Sequence, residues 1–403
     1  MGIFDKQMVH ALFSRIKDGS FTITYWDGST QHYGEGESLF KLHLKDAKLL
    51  ECISDDAEMC LGEAYMDGAI DVEGDPADVI ALAIRNHLWD AVDTPSGVTK
   101  ILQGVMHGGR RSIKQQKADI VHHYDLGNDF FRLWLDDTMT YSCAYFRIPQ
   151  DTLEQAQRQK MDHTLRKLRL KQGESLLDIG SGWGELVMRA VENYNVSGLG
   201  ITLSEEQYKA SCDAVRQRGM DGKARFLLEH YENLAKEKTE FDKIVSIGMI
   251  EHVGKAHLQE FCECAWKMLK TGGLALLHLI TSPVEGPTGG WVNKYIFPNG
   301  YIPTLTELLG HLHTQGFRIW DVENIGPHYR LTLDQWSKRF EQCADEVRTM
   351  FDERFVRMWR LYLRGASASF REGNLEVHQI LISKGKTNLL PLTREDLYFT
   401  DTR

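Results

Sequence analysis

The chain has 403 residues, of which 42% are hydrophobic and 26% charged, with only 9 prolines. At roughly 150 residues per domain this length predicts more than one domain, and the composition excludes a disordered or fibrous protein. The formal net charge of −10 argues against a general nucleic-acid binder, because neutralising phosphates requires a basic surface.

Cysteine usage and the lack of targeting signals predict a cellular location. The 7 cysteines are scattered and include no CxxC pair, which is typical of free thiols in a reducing cytoplasm and gives no metal-ligand spacing. Residues 1–6 contain no long apolar run and no lipid-anchor signal. The weakly charged stretch at 271–284 is too short to cross a bilayer. We expect a cytoplasmic protein without a transmembrane segment or a metal site, and any membrane contact to be peripheral.

Residues 1–106 are predicted to form a small mixed α/β domain. Two strands at 21–26 and 29–33 flank Asp27-Gly28, a pair that predicts a type I′ hairpin turn. The stretch 107–117 is polar, glycine-punctuated and rich in cations, and we assign it as the linker.

Residues 118–403 are predicted to form a second, α/β domain. Apolar runs at 176–179, 198–201, 226–228, 244–247 and 274–280 alternate with helical stretches. This alternation indicates a parallel, doubly wound, Rossmann-like sheet. Runs at 317–322 and 377–382 are expected to close one edge of that sheet as an antiparallel pair.

A long helical insertion lies at about 330–372. Its apolar residues, from Trp336 to Tyr362, recur at steps of three and four. The pattern is compatible with a packed core face and with a lid over a long apolar substrate.

The strongest local motif is the glycine-rich segment 176–184. A buried strand carrying Asp178 leads into Gly180, Gly182 and Gly184, and a helix follows. The spacing is GxGxG, which is typical of folds that bind S-adenosylmethionine (AdoMet), whereas NAD proteins use GxGxxG. The alternative is a tight strand-to-helix turn without a ligand. The next strand ends at Thr202 without an acidic residue for ribose, so Gln207 or the backbone is expected to make that contact.

Several segments together resemble the cyclopropane-fatty-acyl-phospholipid synthases, including the mycolic acid cyclopropane synthases. They occur in the same order as in that family, at residues 123–131, 141–145, 176–184, 200–204, 248–254 and 354–363. The resemblance covers about 118–385. Residues 1–100, notably the segment 62–68, also resemble the N-terminal domain of the bacterial phospholipid-acting members, which the shorter mycolate enzymes lack.

The resemblance implies an AdoMet-dependent methyltransferase with an acyl-chain lid. The implied AdoMet contacts are Tyr141, Ser142, Asp178, Gly180, Gly182, Gly184, Thr202, Leu203, Gln207, Tyr231 and Glu232. Some relatives have tryptophan where this chain has Tyr231, and the resemblance implies that adenine stacks on the tyrosine ring instead.

The resemblance also implies the reaction: methyl transfer from AdoMet to a cis double bond of a phospholipid acyl chain, then proton loss to bound bicarbonate and ring closure. The residues matching the bicarbonate site are Cys143, Glu251, His278, Ile280 and Tyr329. Each has a structural alternative, such as a buried thiol, a core histidine or a loop aromatic. We expect Glu251 to have a raised pKa, since an ionised carboxylate would repel the anion. No cysteine lies at 365–367, which excludes a thiol nucleophile there.

The resemblance also implies membrane partners, and the sequence leaves several alternative activities open. The implied partners are unsaturated phospholipid acyl chains at the inner face of the membrane, and a homodimer is suggested by the bacterial relatives. Cations at 110–117 and 166–171 are docking candidates, and the aromatic segment 291–298 is a candidate insertion or lid element. The alternatives are a branched or methylene product, N-methylation of a small amine, and a non-catalytic lipid-binding protein.

Overall fold

The computed structural model describes residues 2–47, 49, 56–88, 112, 115, 126–286, 289–386 and 390–398. The predicted linker, apart from residues 112 and 115, and the first three residues of the 123–131 motif lie outside the described residues. The chain divides into two compact units. The first comprises 1–106, 288–296 and 333–375, and the second comprises 107–287, 297–332 and 376–403.

The strands and helices of both units are numbered together in chain order. The strands are β1 Ser20–Thr24, β2 Thr30–Gly34, β3 Lys41–Leu44, β4 Ile70–Glu73, β5 Ser175–Ile179, β6 Ser197–Thr202, β7 Ala224–Leu228, β8 Phe241–Ile247, β9 Leu269–Thr281, β10 Phe317–Asn324 and β11 Glu376–Lys384. The helices are α1 Gly2–Phe13, α2 Ala57–Met66, α3 Pro76–Arg85, α4 Asn128–Arg132, α5 Leu153–Leu168, α6 Glu185–Tyr194, α7 Glu205–Gln217, α8 Tyr231–Lys236, α9 Leu258–Met268, α10 Gly290–Tyr295, α11 Leu305–Gln315, α12 Gly326–Gln342, α13 Ala344–Met350, α14 Glu353–Arg371 and α15 Glu395–Tyr398. Short 3₁₀ turns lie at Ile250–His252 and Lys255–His257.

The first unit is built on a four-stranded sheet of order β2-β1-β3-β4. Strands β1 and β2 form the predicted hairpin. The predicted turn type is wrong, because Gly28 has a φ of +80° whereas Asp27 is not among the residues with positive φ. The Gly28 N–H donates to the Tyr25 carbonyl at 2.9 Å. A type I turn followed by a left-handed glycine fits this geometry, and it needs only one positive φ.

The helical insertion packs into the first unit. Helix α14 lies against α3 and α2, and Val356, Trp359 and Leu363 on it are buried. Arg364 donates to both Asp75 and Asp334, which fixes the helix to the start of α3. Most of the apolar stripe is therefore core, as one of the two sequence interpretations expected. Its role as an acyl-chain lid stays a prediction.

The aromatic segment after β9 is packed in the first unit and does not project as an exposed loop. The Trp291 side chain is 4% exposed and lies against Gly62 in α2. The backbone N–H groups of Gly290 and Trp291 donate to the Glu58 carboxylate at 3.1 and 3.2 Å. These contacts argue against Trp291 as a membrane-inserting side chain.

The second unit contains a seven-stranded sheet of order β10-β11-β9-β8-β5-β6-β7. Strands β9, β8, β5, β6 and β7 are parallel, and β11 and β10 add antiparallel at one edge. Consecutive β5 residues serve opposite faces, since Leu176 packs with α5 and α6 while Leu177 packs with α9. The predicted doubly wound sheet and its antiparallel edge are confirmed.

Two further expectations are corrected. Cys143, Cys212, Cys262, Cys264 and Cys343 are free, but Cys60 is disulfide-bonded, so the expectation of free thiols throughout is wrong. Within the candidate docking run at 166–171, Lys167 is 1% exposed and bound to Glu323, so it is not a surface cation. In the part of the chain that the structure describes, no helix has the length and apolar character needed to span a bilayer.

Candidate active site

The glycine-rich segment forms a cradle at the carboxyl end of β5. Gly180, Gly182 and Gly184 have φ values of +85°, +54° and +88°, which side chains rarely adopt. A Cβ at Gly180 would lie 2.8 Å from Met249, and one at Gly184 would lie 2.4 Å from Phe226. A Cβ at Gly182 would meet nothing within 4 Å. The outer glycines therefore allow close packing, while Gly182 presents bare backbone to open space.

That open space is a cavity of about 130 Å³. Its lining includes every predicted AdoMet contact except Glu232: Tyr141, Ser142, Asp178, Gly180, Gly182, Gly184, Thr202, Leu203, Gln207 and Tyr231. The strand ends β5, β6 and β8 converge here, which is where ligands bind in open parallel sheets. The buried polar edge and the glycine cradle fit a nucleoside with an amino-acid tail, as in AdoMet.

The tip of β6 is held by hydrogen bonds among uncharged groups. Thr202 Oγ1 donates to Gln207 Oε1 at 2.7 Å, and the Ser204 N–H donates to Thr202 Oγ1 at 3.2 Å. Ser204 Oγ also accepts from the Gln207 N–H and so caps α7. The end of β6 thus carries a buried threonine hydroxyl and glutamine amide in place of the acidic residue of a generic nucleotide-binding fold.

Tyr231 and Glu232 point to different surroundings. Tyr231 is 4% exposed, its ring centroid lies 5.4 Å from that of Phe261, and its hydroxyl has no hydrogen-bond partner among the described residues. Burial raises the pKa of Tyr231. The Glu232 carboxylate instead clusters with His257 and Glu260, their ligand atoms all lying within 4.8 Å of one another. These are ligand types that could hold a cation, but they lie off the cavity lining.

Lys160 is a site residue that the sequence analysis missed. It is 2% exposed, lines the cavity and donates from Nζ to Ser142 Oγ at 2.8 Å. Burial lowers its pKa to about 8. Burial also raises the pKa of Asp178 to about 7, against the opposing effect of the Lys160 charge. The only sequence signal was a lysine on the apolar face of α5, between Ala156 and Thr164.

Glu251 lies in the 3₁₀ turn after β8, directly beside the cavity-lining residues Met249 and His252. Its Oε1 accepts the Ile280 N–H at 2.7 Å, and its backbone carbonyl accepts the Tyr301 N–H at 2.9 Å. Oε2 has no hydrogen-bond partner among the residues described. Burial raises the pKa of Glu251 to about 7, as expected from the sequence. The Ile280 N–H, expected to face the anion, is donated to Glu251.

His278 lies two residues before Ile280 on β9. It is 2% exposed, and its Nδ1 lies 3.2 Å from Gln379 Nε2. Burial holds the pKa of His278 well below its usual range, so the ring is neutral. The His278 carbonyl accepts the Gly248 N–H at 2.8 Å, which joins β9 to the end of β8.

Cys143 packs on the segment leading into α12, the helix that carries Tyr329. The Cys143 thiol is 1% exposed, and its Sγ lies 3.9 Å from the Ile325 carbonyl oxygen. Burial raises the pKa of this thiol, which excludes it as a thiolate at neutral pH. The adjoining Ala144 N–H donates to Thr332 Oγ1 at 3.0 Å. Tyr329 is half-buried in the first turn of the same helix.

Comparison with known families gives two matches. A family model described as mycolic acid cyclopropane synthetase matches residues 111–380. A second model, described as a domain of unknown function (DUF7884), matches residues 8–88. The second match ends before the predicted linker at 107–117, and the first match begins within it.

Similar proteins cover nearly the whole chain. A "Probable fatty acid methyltransferase" from Pseudomonas putida is 36% identical over 93% of this chain and 95% of its own length. A "Cyclopropane-fatty-acyl-phospholipid synthase" from Escherichia coli K12 is 35% identical over 89% of this chain and 92% of its own. Among solved structures, the cyclopropane synthase MmaA2 from Mycobacterium tuberculosis aligns with a TM-score of 0.64 at 35% identity, covering 66% of this chain and 98% of that one. Coclaurine N-methyltransferase, at 19% identity and a TM-score of 0.61, shares the fold.

Proposed function

Because this chain belongs to the mycolic acid cyclopropane synthetase family, we propose that it is a cyclopropane fatty acid synthase acting on phospholipids. The resemblance and the AdoMet methyltransferase fold expected from the sequence are confirmed. The substrate is a cis double bond in an unsaturated phospholipid acyl chain, and AdoMet donates the one-carbon unit.

The observation that carries this proposal is the placement of Glu251 beside the glycine-cradle cavity. In the reaction, the alkene carbon bonds to the methyl group as the methyl–sulfur bond breaks, and S-adenosylhomocysteine leaves. The resulting carbocation must be kept dry until a proton leaves the new methyl group and the ring closes. A buried carboxyl of pKa about 7 can hold or release a proton near neutral pH without a standing negative charge.

Bicarbonate is proposed as the base. The residues fit an anion in one respect: Glu251 Oε2 is buried and without a partner among the described residues, and in its protonated form it can donate to an oxyanion. Bound bicarbonate would supply the acceptor for the departing proton. Glu251 holds its own orientation through the Ile280 N–H, and the neutral His278 ring adds no positive charge that would destabilise the carbocation.

The finer parts of the proposal follow the family resemblance. We place the protein in the cytoplasm, peripherally on the inner face of the membrane, and assign Tyr329 as a hydroxyl donor to the anion. A homodimer and an acyl lid at about 330–372 belong to the same proposal. A second candidate function is C-methylation giving a branched or methylene product, because the Pseudomonas putida relative is named a fatty acid methyltransferase.

The test is incubation of the purified chain with AdoMet and vesicles of cis-unsaturated phospholipid, with the acyl products analysed by mass spectrometry and proton NMR. The expected result is a gain of one CH₂ together with high-field cyclopropane protons. Added mass without those protons would favour the branched product. No added mass would overturn lipid modification and leave N-methylation of a small amine, or lipid binding without catalysis, as the activities to assay.

A further inference from the structure

Among the described residues of the second unit, three lysines are buried, and one of them differs from the other two. Lys167 Nζ lies 2.5 Å from Glu323, and Lys243 Nζ lies 3.7 Å from Glu174. Lys160, equally buried, makes no salt bridge among the described residues. Within the described part of the chain, its ammonium donates only to the uncharged Ser142 hydroxyl. Burying an ammonium without a counter-ion is costly, so a site that keeps one is built for an anionic group.

Asp178 is the opposite case in the same cavity. It is 2% exposed, and its Oδ1 has no hydrogen-bond partner in the described part of the chain. No cation forms a salt bridge with it among those residues, although the Lys160 charge acts on it from a longer distance. The cavity therefore offers one unpaired ammonium and one unpaired carboxyl. The matching ligand group is an α-amino acid zwitterion.

The surroundings hold Lys160 in place. Gln157, one turn earlier in α5, donates from Nε2 to the carbonyls of Thr140 and Ser142 at 3.2 and 2.9 Å. The segment that supplies the Ser142 hydroxyl is thus tied to the helix that supplies the lysine. Preorganised donors of this kind bind a carboxylate without a reorganisation cost. The carboxyl groups that act electrostatically on Lys160 are those of Asp136 and Asp178.

We propose that Lys160 Nζ binds the α-carboxylate of the methionine part of AdoMet, with Ser142 as its partner and Asp178 opposite on the α-ammonium. The assignment rests on the proposed function, and it adds a binding residue outside every motif that the sequence analysis used. The ligand proposed for Lys160 is thus the carboxylate of the co-substrate. The other anion that Lys160 could bind is bicarbonate, because Lys160 also acts electrostatically on His278, a residue assigned to the bicarbonate site.

The test uses two ligands that differ only in that carboxylate: S-adenosylhomocysteine and its decarboxylated analogue, 5′-(3-aminopropylthio)-5′-deoxyadenosine. Both are titrated by calorimetry into the full-length wild type, Lys160→Met, Lys160→Gln and the control Lys243→Met, a buried lysine away from the cavity lining. The wild type is expected to prefer S-adenosylhomocysteine at least 10-fold. Lys160→Met and Lys160→Gln are expected to lose about 10- to 100-fold for S-adenosylhomocysteine, the range of a charged hydrogen bond, with little change for the analogue.

The outcomes separate the inference from the proposed function. Equal loss of both ligands, or wild-type affinity in both Lys160 variants, overturns the inference while the AdoMet site stands. A Lys160 variant that binds both ligands normally but needs more bicarbonate for half-maximal turnover assigns the lysine to the other anion, and so also overturns it. Failure of the wild type to bind S-adenosylhomocysteine overturns the proposed function itself. Thermal unfolding of each variant checks that it is folded.

Discussion

The backbone N–H of Ile280 donates a 2.7 Å hydrogen bond to Glu251 Oε1, joining the turn after β8 to the end of β9. The other carboxyl oxygen is buried and has no partner among the described residues. Because burial raises the pKa to about 7, the carboxyl is partly protonated at neutral pH. Oε1 thus orients the carboxyl group, and Oε2 is available to hold or release a proton in the reaction.

Replacing Glu251 by glutamine separates these two roles. Glu251→Gln keeps an oxygen that can accept the Ile280 N–H but removes the ionisable proton. We expect turnover to fall by roughly 10²- to 10⁴-fold, the usual contribution of a positioned acid or base. Affinity for S-adenosylhomocysteine should stay within about 3-fold by calorimetry. Glu240→Gln, at an exposed residue that pairs with Lys384, is the control and should leave both quantities unchanged. Full turnover in Glu251→Gln would remove this carboxyl from the mechanism.

The pH profile of turnover should show the Glu251 proton directly. The neutral form predominates below pH 7 and the charged form above it, since the pKa is raised to about 7. A charged carboxylate repels an anionic base, so kcat at saturating AdoMet should decline as the pH rises above about 7. Saturation removes the contributions of Lys160 and Asp178 to co-substrate binding. The residual activity of Glu251→Gln should lack this decline, and an identical profile in both proteins would contradict the assignment.

Local sequence patterns predict the glycine cradle and the sheet, but they do not predict where the helical insertion packs. Gly180 and Gly184 were identifiable because a turn between strand and helix imposes positive φ on its glycines. The packing of α14 on α3 depends on Arg364 reaching Asp75, which lies 289 residues earlier. No local periodicity reports such a pair, so the sequence places the insertion in the second domain, whereas residues 333–375 belong to the first unit.

Lys160 escapes prediction because its burial depends on tertiary packing, which leaves no local sequence pattern. Lys160 and Lys167 look alike in sequence, as lysines of an amphipathic helix, and only the tertiary structure shows that both are buried. The sequence does not show which acceptor a given backbone N–H will bind. The family resemblance therefore leads to the prediction that the Ile280 N–H faces the anion. Its partner proved to be Glu251, 29 residues away.

The cradle assignment predicts the effect of a side chain at Gly182. A Cβ there meets no protein atom within 4 Å, so Gly182→Leu would place its side chain in the space assigned to AdoMet. We expect affinity for S-adenosylhomocysteine to fall at least ~100-fold, through steric exclusion and a strained φ of +54°. Gly219→Leu is the matched control, with a φ of +64° and also nothing within 4 Å, but away from the cavity lining. It carries the same backbone strain and should bind normally. Equal loss in both variants would assign the effect to strain.

Two helix-interior glycines should respond to alanine with opposite signs. In α2, a Cβ at Gly62 would lie 2.3 Å from Trp291 Cδ1, whereas at Gly310 in α11 it would meet nothing within 4 Å. Gly310→Ala should stabilise by up to ~1 kcal/mol through helix propensity. Gly62→Ala should destabilise by about 1–3 kcal/mol, because overpacking displaces the indole. Thermal unfolding measures both, and a stabilised Gly62→Ala would show that Trp291 is not packed there.

Glu323 is the hub of a buried charge cluster in the second unit. Its Oε2 lies 2.7 Å from His163 Nε2 and 2.5 Å from Lys167 Nζ, and its Oε1 accepts from the Tyr398 hydroxyl at 2.9 Å. The His163 and Lys167 interactions hold the pKa of Glu323 well below its usual range despite burial. Removing the charge leaves Asp321, at 3.7 Å, as the one carboxylate paired with Lys167 in the part of the chain that the structure describes.

Glu323→Gln should therefore cost about 3–5 kcal/mol, the usual penalty for breaking a buried ion pair. For a unit of this size the melting temperature should fall by roughly 6 °C or more at pH 7. A carboxyl whose folded pKa is lowered stabilises the protein above its unfolded pKa of about 4.3 and loses that contribution as the pH falls further. The difference in melting temperature should accordingly be constant near neutrality and narrow below about pH 4. Glu240→Gln, which removes a partly exposed partner of Lys384, should change stability by less than ~1 kcal/mol. An equal effect of the two substitutions would mean that the Glu323 cluster contributes no more than a surface pair.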